Sequence, residues 1–582
     1  MAVVDRARGV VGGGRRPWFG GSVVPGVLGR VAGLVVAVSG VLVGMPMMAQ
    51  AAPGDLDPTF GTAGKVTTAI GDSGEARAVA IQPDGKIILA GYAVVGGPRF
   101  AMTRYNPDGT LDPTFGSGGT QTTTIGGQSE SYAIAVQPDG KIILAGSAFG
   151  RITFAVARYN SDGTPDLTFG IGGAETTSIN NDAQARAMAV QPDGKIVLAG
   201  YGGGDEFAAV RYNTDATLDP SFGSGGIQTT AVGDFSGAYA TAIQPDGKIL
   251  LAGETDFLGN GDNDFAMLRY DSDGTLDPTF GTGGVQTTAI GSGGADDVAK
   301  ALAVLPDGKI VLGGHTAGAD EDFALARYNP NGSLDTSFGT GGTQITEVGT
   351  GDDAANAMAV QPDGKIVLGG YTTGANRDFA VVRYEPNGSL DTGFGTGGKR
   401  TTEVGTGDDA ALAMAIQPDD KILLAGNSNP GPDFAAVRYG IAADTTTVVT
   451  ANPATAEPGQ EVTFTAETSA ASGTPTGSVV FTIDGVDQLP MALSSGRATL
   501  TTDDLTAGTH TIEAAYTPDT VLQLASTDTL SYEVTQPAES TTKDAAPLVA
   551  TGTNVSGLVP IGVLALATGA VLVAARRKRS QS

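Results

Sequence analysis

The sequence predicts an all-β fold class: a seven-bladed β-propeller whose last blade is closed by an N-terminal strand, then an immunoglobulin-like (Ig-like) β-sandwich and a C-terminal transmembrane or sorting helix. Three observations in the 582 residues lead to this prediction. One set of short motifs recurs seven times within residues 54–440, the motif order is broken at the two ends of that tract, and residues 443–535 form short alternating runs. Short strands separated by turn residues are typical of propellers and sandwiches.

Each unit of the repeat carries three markers, which are Gln-Pro-Asp-Gly-Lys, Arg-Tyr and Phe-Gly with small variations. In the second unit, turn residues separate four runs and predict strands at 132–136, 141–146, 154–160 and about 166–177. The first of these strands carries Ala-x-Ala in every unit, and such small side chains suit the innermost strand of a blade. The Arg-Tyr pairs begin at Arg104, Arg158, Arg211, Arg269, Arg327, Arg383 and Arg438.

The two ends of the repeat tract complete each other. The tract begins with a fourth strand alone, Leu56 to Ile70, and finishes with a third strand that lacks its fourth. Each of the first six arginines is followed eight residues later by an aspartate, as Arg104 is by Asp112, and this spacing predicts structural ion pairs across a hairpin. The residues left over are Arg438 and Asp57, so we expect them to lie side by side and to close the ring without a long free edge.

Three longer motifs identify a related family. Gln-Pro-Asp-Gly-Lys-Ile, Phe-Ala-x-x-Arg-Tyr-Asn-Pro-Asp-Gly and Ser-Leu-Asp-Thr-Ser-Phe-Gly occur between about Gly54 and Gly440. These motifs closely resemble the delta-60 repeats of bacterial surface proteins. The resemblance implies a β-propeller and no established enzymatic activity, and it does not identify a ligand.

A second domain follows the repeats. Runs rich in Thr, Val and Ala predict strands at 445–450, 461–465, 477–483, 498–502 and 509–516, and hence a β-sandwich. The segment from Leu505 to Ile512, which includes His510, resembles the bacterial Ig-like repeats of surface proteins. Because the domain lacks the cysteines and tryptophan of antibody domains, we expect an aliphatic core and a structural role for His510. Residues 536–547 are polar and predict a flexible linker.

Both termini have the composition of targeting segments. Residues 1–51 combine arginines, a short apolar run and a small-residue site, the pattern of a secretory signal peptide, and Arg15-Arg16 leaves twin-arginine export open. Residues 548–582 contain an uncharged run at 558–575 followed by a basic tail, the pattern of a transmembrane segment. Leu548-Val549-Ala550-Thr551-Gly552 resembles sortase sorting signals of Gram-positive bacteria. This implies cleavage between Thr551 and Gly552 and a bond to peptidoglycan; retention in the membrane by this segment alone is the alternative.

Composition excludes several classes of chemistry. The chain has no cysteine, two histidines and a formal net charge of −28, and removal of both predicted terminal segments leaves it more acidic still. Disulfides, thiolate metal sites and clustered imidazoles are therefore absent, and a phosphate backbone would be repelled. We expect no nucleic-acid partner, no membrane contact beyond the C-terminal helix, and a monomer.

The loops that differ between units predict where a ligand binds, because variable loops on a rigid scaffold commonly carry recognition. In each unit, the residue directly after a glycine in the second predicted strand varies. These residues give a candidate ligand face, formed by Tyr92, Tyr201, Glu254, His315 and Tyr371. For His315, a packing role is the simpler alternative. Calcium is the one cofactor the sequence admits, at Asp256, Asp262 and Asp264 in the longest acidic insertion, although these loops suit plain solvation equally well.

The sequence favours a non-enzymatic, exported surface protein that uses the propeller for adhesion or for binding an unidentified glycan or protein. Two alternatives stay open. One is an extracellular enzyme acting on polysaccharide through loop carboxylates, with no catalytic residue singled out, and the other is a purely structural cell-wall protein.

Overall fold

The computed structural model of the protein describes residues 53–536, except 181, 257–261, 292–295, 432, 441–444, 471–473, 520–522 and 524. The predicted signal peptide, nearly all of the linker, and the sorting signal with Leu548, Thr551 and Gly552 lie outside the described residues. Every regular element in the described part is a β-strand, and no helix there is long and apolar enough to cross a membrane.

The described repeat tract folds into seven four-stranded antiparallel sheets. Six sheets take their strands in chain order, whereas the seventh combines the first strand of the chain with the last three of the tract. The strands of the six are β2 (Ser73–Ile81), β3 (Ile87–Val94), β4 (Pro98–Tyr105), β5 (Thr120–Thr123); β6 (Glu130–Val136), β7 (Ile142–Ala148), β8 (Thr153–Tyr159), β9 (Ala174–Ser178); β10 (Ala183–Val190), β11 (Ile196–Gly202), β12 (Glu206–Tyr212), β13 (Ile227–Thr230); β14 (Ser236–Ile243), β15 (Ile249–Thr255), β16 (Asp264–Tyr270), β17 (Val285–Thr288); β18 (Asp297–Val304), β19 (Ile310–Ala317), β20 (Glu321–Tyr328), β21 (Thr343–Thr346); β22 (Asp353–Val360), β23 (Ile366–Thr373), β24 (Arg377–Tyr384), β25 (Lys399–Thr402). The seventh sheet has the order β1 (Lys65–Thr68), β28 (Asp433–Tyr439), β27 (Ile422–Ser428) and β26 (Ala410–Ile416).

The sheets close into a ring. The first strands of successive sheets lie next to one another from β2 to β26, and β26 in turn lies next to β2. At the junction, Lys65 of β1 pairs with Val437 of β28, and the Gly61 amide donates to the Asp108 carbonyl of the neighbouring sheet at 2.8 Å. The Arg438 Nη1 atom donates to the Pro107 carbonyl at 2.6 Å. The N-terminal strand therefore completes the last sheet and joins it to the first.

The Arg/Asp spacing corresponds to buried ion pairs. Arg438 Nε lies 2.9 Å from Asp57 Oδ2, as the spacing predicts, and Arg104 Nε lies 2.8 Å from Asp112 Oδ2. Lys421 Nζ reaches the same Asp57 oxygen at 3.2 Å, and the Arg438 guanidinium stacks 4.5 Å from the centre of the Phe60 ring. Since this Arg, Asp and Phe arrangement recurs around the ring, these residues are scaffold. The stacked pairs include Arg104–Phe115, Arg158–Phe169, Arg211–Phe222, Arg269–Phe280, Arg327–Phe338 and Arg383–Phe394.

We expect these carboxyls to make the propeller sensitive to acid. Burial by itself raises the pKa of Asp112, but hydrogen bonds from Thr114 and Lys86 and the Arg104 charge hold it well below its usual range. A carboxyl with a lowered folded-state pKa stabilises the fold above its unfolded pKa of about 4, and this contribution is lost as pH falls toward the folded value. The pKa is lowered in the same way at Asp57, Asp166, Asp219, Asp277, Asp335 and Asp391.

The melting temperature should therefore fall between pH 4 and pH 2, as measured by circular dichroism. Asp112→Asn should reduce this difference, because the variant has already lost one titrating group. An unchanged pH dependence in Asp112→Asn would contradict the assignment.

Each innermost strand contains a β-bulge at the same place, as between Ala76 and Ala78 of β2. The facing residue on the second strand is Gly91, where a Cβ atom would lie 1.8 Å from the Glu75 carbonyl oxygen. Only glycine fits so close to the bulged backbone. The equivalent positions are Gly146, Gly200, Gly253, Gly314, Gly370 and Gly426, with corresponding gaps of 1.8 to 2.0 Å.

The predicted fourth strands are too long. In the second unit the strand is Ala174–Ser178, and the preceding part of the predicted 166–177 run is a turn. Asp166 Oδ1 accepts hydrogen bonds from the Thr168 amide at 3.1 Å and the Thr168 hydroxyl at 2.6 Å, which bends the chain away from the sheet. The predicted closing strand is likewise shortened to β1, with one isolated bridge between Leu56 and Tyr439.

The second domain is a two-sheet sandwich, and all five predicted strands are present. Its strands are β29 (Thr445–Asn452), β30 (Val462–Ala470), β31 (Gly477–Ile483), β32 (Val486–Asp487), β33 (Met491–Ala492), β34 (Arg497–Thr502), β35 (Gly508–Pro518) and β36 (Ser526–Val534). One sheet has the order β29-β30-β34, and the other β32-β31-β35-β36, with β33 also pairing with β31. The expectation of an aliphatic core is wrong, because Phe464, Phe481, Tyr516 and Tyr532 are buried there.

The stability of this sandwich should depend on His510. Its Nδ1 lies 2.6 Å from Asp484 Oδ2 and its Nε2 lies 2.7 Å from the Thr506 carbonyl, so both ring nitrogens face acceptors. The hydrogen bond to Thr506, followed by that to Asp484, raises the pKa of His510. A raised pKa stabilises the fold fully below the unfolded value of about 6.5 and loses this effect as pH rises through the folded value. We expect the sandwich to melt at a lower temperature at pH 8.5 than at pH 6, and His510→Gln to abolish the difference in calorimetry; a difference that persists in His510→Gln would contradict this role.

Candidate functional site

The bulges direct one side chain from every sheet toward the ring axis. The bulged residue precedes the first alanine of Ala-x-Ala and is half-buried in all seven sheets. Together these side chains line an axial cavity of about 400 Å³, a size in the range of small-molecule sites. We call them the axial ring: Arg77, Tyr132, Arg186, Tyr239, Lys300, Asn356 and Leu412.

One part of the axial ring is neutralised by ion pairs. Arg77 Nε lies 3.1 Å from Glu75 Oε1, and its Nη1 lies 2.7 Å from Glu130 Oε2. Arg151, from the loop between β7 and β8, contacts the same Glu130 oxygen at 3.0 Å. The Arg77 guanidinium also stacks 4.4 Å from the centre of the Tyr132 ring. Here each cation has a carboxylate partner.

In another part of the axial ring, the cations contact aromatic rings instead of carboxylates. The Arg186 guanidinium lies 4.8 Å from the centre of the Tyr239 ring and 5.5 Å from that of Tyr201, and Lys300 Nζ lies 3.5 Å from the centre of the Tyr239 ring. The Tyr239 hydroxyl donates to Glu254 Oε1 at 2.7 Å. Within the described residues, neither Arg186 nor Lys300 forms an ion pair. Burial, together with repulsion by Arg186, lowers the pKa of Lys300 to about 8, although the charges of Glu254 and Glu321 oppose the shift.

The candidate ligand-face residues lie on the second strands, behind the axial ring. Tyr92 pairs with Glu75 beside the bulge, and its hydroxyl donates to Glu75 at 3.3 Å. Tyr371 donates to Glu321 at 3.3 Å. Burial and the nearby Lys300 lower the pKa of His315 to about 4, so this imidazole is neutral at physiological pH. Two of the five, Tyr201 and Glu254, line a smaller pocket of about 210 Å³ together with Arg186 and Tyr239.

Several acidic loop residues close the loops between sheets. Asp353 Oδ2 accepts from the amides of Val348 at 2.6 Å and Gly349 at 2.8 Å. Burial and then the Asp353 charge raise the pKa of Asp322, which lies on β20 of the preceding sheet. The pairs Asp264–Asp297 and Asp378–Asp409 repeat this arrangement in neighbouring sheets.

The calcium site proposed at Asp256, Asp262 and Asp264 remains a prediction. Burial and then the charges of Asp297, Asp262 and Asp256 raise the pKa of Asp264. Residues 257–261 of the same insertion are outside the described part of the chain. Within the part that is described, no group of three or more acidic or histidine side chains is placed to hold a metal ion.

The axial ring was not predicted from the sequence. The Ala-x-Ala motif marks the innermost strand, but the residue before it changes from Arg to Tyr, Lys, Asn or Leu between units and so does not stand out as part of the repeat. The feature of the sequence that could have predicted the axial ring is a charged or aromatic residue at a strand position flanked by small residues.

Comparisons with known proteins agree with this architecture. Residues 82–115, 137–169, 191–222, 244–280, 305–338 and 361–394 match a family model described as a domain of unknown function (DUF5122) beta-propeller. The chain carries a β-propeller of this kind. Residues 449–535 match the bacterial Ig-like domain (group 3), so the sandwich is a bacterial Ig-like domain. No curated protein matches the sequence.

Two similar solved structures come from B. thetaiotaomicron. The extracellular domain of a hybrid two-component system is 10% identical, with a TM-score of 0.33, over 81% of this chain and 57% of that one. The extracellular domain of a one-component system is 11% identical, with a TM-score of 0.17, over 79% of this chain and 68% of that one. The chain thus spans little more than half of the first of these proteins.

Proposed function

We propose that the protein is an exported, non-enzymatic surface protein whose seven-bladed propeller binds a ligand in the axial cavity. The observation that supports this most strongly is the axial ring. Seven sheets with one scaffold of Arg, Asp and Phe residues present five different residue types to a single cavity. A uniform scaffold with a diversified interior is suited to recognition.

The free energy spent on partly burying the cations of the axial ring also supports binding. Arg186 and Lys300 are half-buried cations without an ion pair among the described residues, and burial lowers the pKa of Lys300. Partly desolvated charges reduce stability unless something compensates for them. A bound ligand supplies that compensation.

Display on the cell surface is the second part of the proposal. The signal peptide at 1–51 would export the chain, the Ig-like domain would act as a spacer, and Thr551 would join peptidoglycan after cleavage of the sorting signal. The protein would be monomeric and extracellular. If Thr551→Ala is still released only by wall-digesting enzymes, the wall bond at Thr551 is wrong.

The repetition of the loop carboxylates counts against an enzyme that uses them. Such an enzyme needs two carboxyl groups about 5 to 10 Å apart in a substrate pocket. The pairs with raised pKa, such as Asp322 with Asp353, instead recur in three consecutive sheets and cap loops. A repeated position of this kind is expected of scaffold.

The binding proposal can be tested by filling the cavity. The full-length protein is applied to glycan and matrix-protein arrays with and without calcium, beside Leu412→Trp, which places a large ring in the cavity. Leu167→Trp, at a residue that is 74% exposed on a turn, is the matched control. We expect binding by the wild type and the control and none by Leu412→Trp. Equal binding by the wild type, the control and Leu412→Trp would exclude the cavity as the binding site. No binding by any of these proteins would favour the alternative of a structural cell-wall protein.

A further inference from the structure

We infer that Arg186 and Lys300 form an anion-binding end of the axial cavity, and that its ligand is an organic carboxylate with an apolar body. This inference rests on the proposed function and names its ligand class. Three features of the cavity support it: the placement of the cations, the tyrosines that hold them, and the composition of the rest of the lining.

The first feature is the uneven pairing of the ring cations. Arg77 is within 3.1 Å of two carboxylates, Glu75 and Glu130, so its charge is already compensated. Arg186 and Lys300 occupy the equivalent bulge positions of other sheets but have no ion pair among the described residues. The Nε atom of Arg186 is buried and without a hydrogen-bond partner there. An unsatisfied buried donor favours a ligand that brings an acceptor.

The second feature is the tyrosine between the two cations. Lys300 Nζ and the Arg186 guanidinium both lie against the Tyr239 ring, at 3.5 and 4.8 Å from its centre. Cation–π contacts hold the side chains in place without neutralising their charge. The nearby carboxylate, Glu254, already accepts the Tyr239 hydroxyl proton in a hydrogen bond. Glu321, the second carboxylate whose charge acts on Lys300, accepts the Tyr371 hydroxyl at 3.3 Å, and within the described residues neither carboxylate forms an ion pair with a cation of the axial ring.

The third feature is the apolar remainder of the cavity wall. Besides the ring, the cavity is lined mainly by the alanines of the innermost strands and by Met188, Met358 and Met414, with Thr241 as a polar exception, and Leu412 belongs to the ring itself. Methionine and alanine side chains offer contact area but no hydrogen-bond donor, and at most the weak sulfur acceptor of methionine, to a sugar or phosphate. A carboxylate that carries a hydrocarbon or aromatic group therefore matches both ends, whereas a free phosphate matches only one.

Isothermal titration of the full-length protein tests this inference with four probes: phenylacetate, glucuronate, inorganic phosphate and benzylamine. We expect phenylacetate to bind, glucuronate and phosphate to bind at least tenfold more weakly, and benzylamine not to bind. Lys300→Gln and Arg186→Gln should each weaken phenylacetate about tenfold, since a hydrogen bond to a charged group is lost. Lys300→Arg should retain binding, and Arg99→Gln, at an arginine outside the cavity, is the matched control.

The outcomes separate the two proposals. Equal affinity for phosphate or glucuronate, or no effect of Lys300→Gln in a protein that melts like the wild type, would overturn the inference. If an array ligand is lost in Leu412→Trp but no carboxylate binds, the cavity is a site for another ligand class. If neither the arrays nor the probes show binding that Leu412→Trp removes, the proposed function fails as well.

Discussion

Asp57→Ala should destabilise the propeller by about 3 to 5 kcal/mol, the usual result of removing one partner from a buried ion pair. Asp57 is 1% exposed, and its Oδ2 lies 2.9 Å from Arg438 Nε and 3.2 Å from Lys421 Nζ. Its other oxygen accepts hydrogen bonds from the Thr59 amide and hydroxyl, which fix the turn before β1. The substitution would leave the buried Arg438 without a carboxylate partner, and Lys421 with only the exposed Asp419, at the junction where the ring closes.

Asp419→Ala is the matched control for this experiment. Asp419 contacts the same Lys421 Nζ at 3.0 Å, but its side chain is 53% exposed. An exposed ion pair contributes about 0 to 1 kcal/mol, so this variant should unfold nearly like the wild type. Denaturant unfolding followed by circular dichroism measures both free energies. Similar values for the two variants would show that the closing ion pair is not a main source of stability.

Gly200→Ala should cost about 3 kcal/mol and also disturb the axial ring. A Cβ atom at this position would lie 1.9 Å from the Gln184 carbonyl oxygen, so the bulged backbone of β10 must move. Overpacking of this kind costs about 1 to 3 kcal/mol, sometimes more, and here the obstacle is backbone. Because the bulge lies between Ala185 and Ala187, its displacement would carry Arg186 away from the cavity.

Gly318→Ala serves as its control, since a Cβ atom there would meet nothing closer than 3.9 Å. The free energy of unfolding and the affinity for the cavity ligand, measured by titration, should both fall in Gly200→Ala. Both should stay at the wild-type value in Gly318→Ala. A Gly200→Ala protein with normal stability and normal binding would mean that the bulge does not position the ring.

The sequence was sufficient for the scaffold because the scaffold is local and repeated. The spacing of eight residues between Arg104 and Asp112 predicted every such pair, and it also predicted the distant pair of Arg438 with Asp57. The fourth strands were overestimated because an Asp side chain that bonds the backbone two residues on, as Asp166 does, turns the chain inside an extended pattern. The final strand of the sandwich, β36, was missed because its polar residues give little contrast with a linker.

The candidate site was only partly predictable, for a geometrical reason. Side chains in a regular strand alternate between two faces, so the pattern assigns each residue to one face or the other. The bulge adds one residue and sends it to neither face, and thus Arg186 or Lys300 could not be placed from alternation alone. The predicted face residues, such as Tyr201, lie one layer away from the ring and support it.

Closure of the ring by β1 is required for the axial ring and its cavity, and an engineered disulfide tests this closure most directly. Val66 of β1 faces Ala436 of β28, and both side chains lie in one buried cluster. The chain has no cysteine of its own, so Val66→Cys with Ala436→Cys introduces the sole thiols. Mild oxidation should give an intramolecular disulfide that joins the tryptic peptides of residues 66–77 and 422–438 in mass spectrometry. Reduced monomer, or disulfides only between molecules, would show that the ring is not closed by this strand.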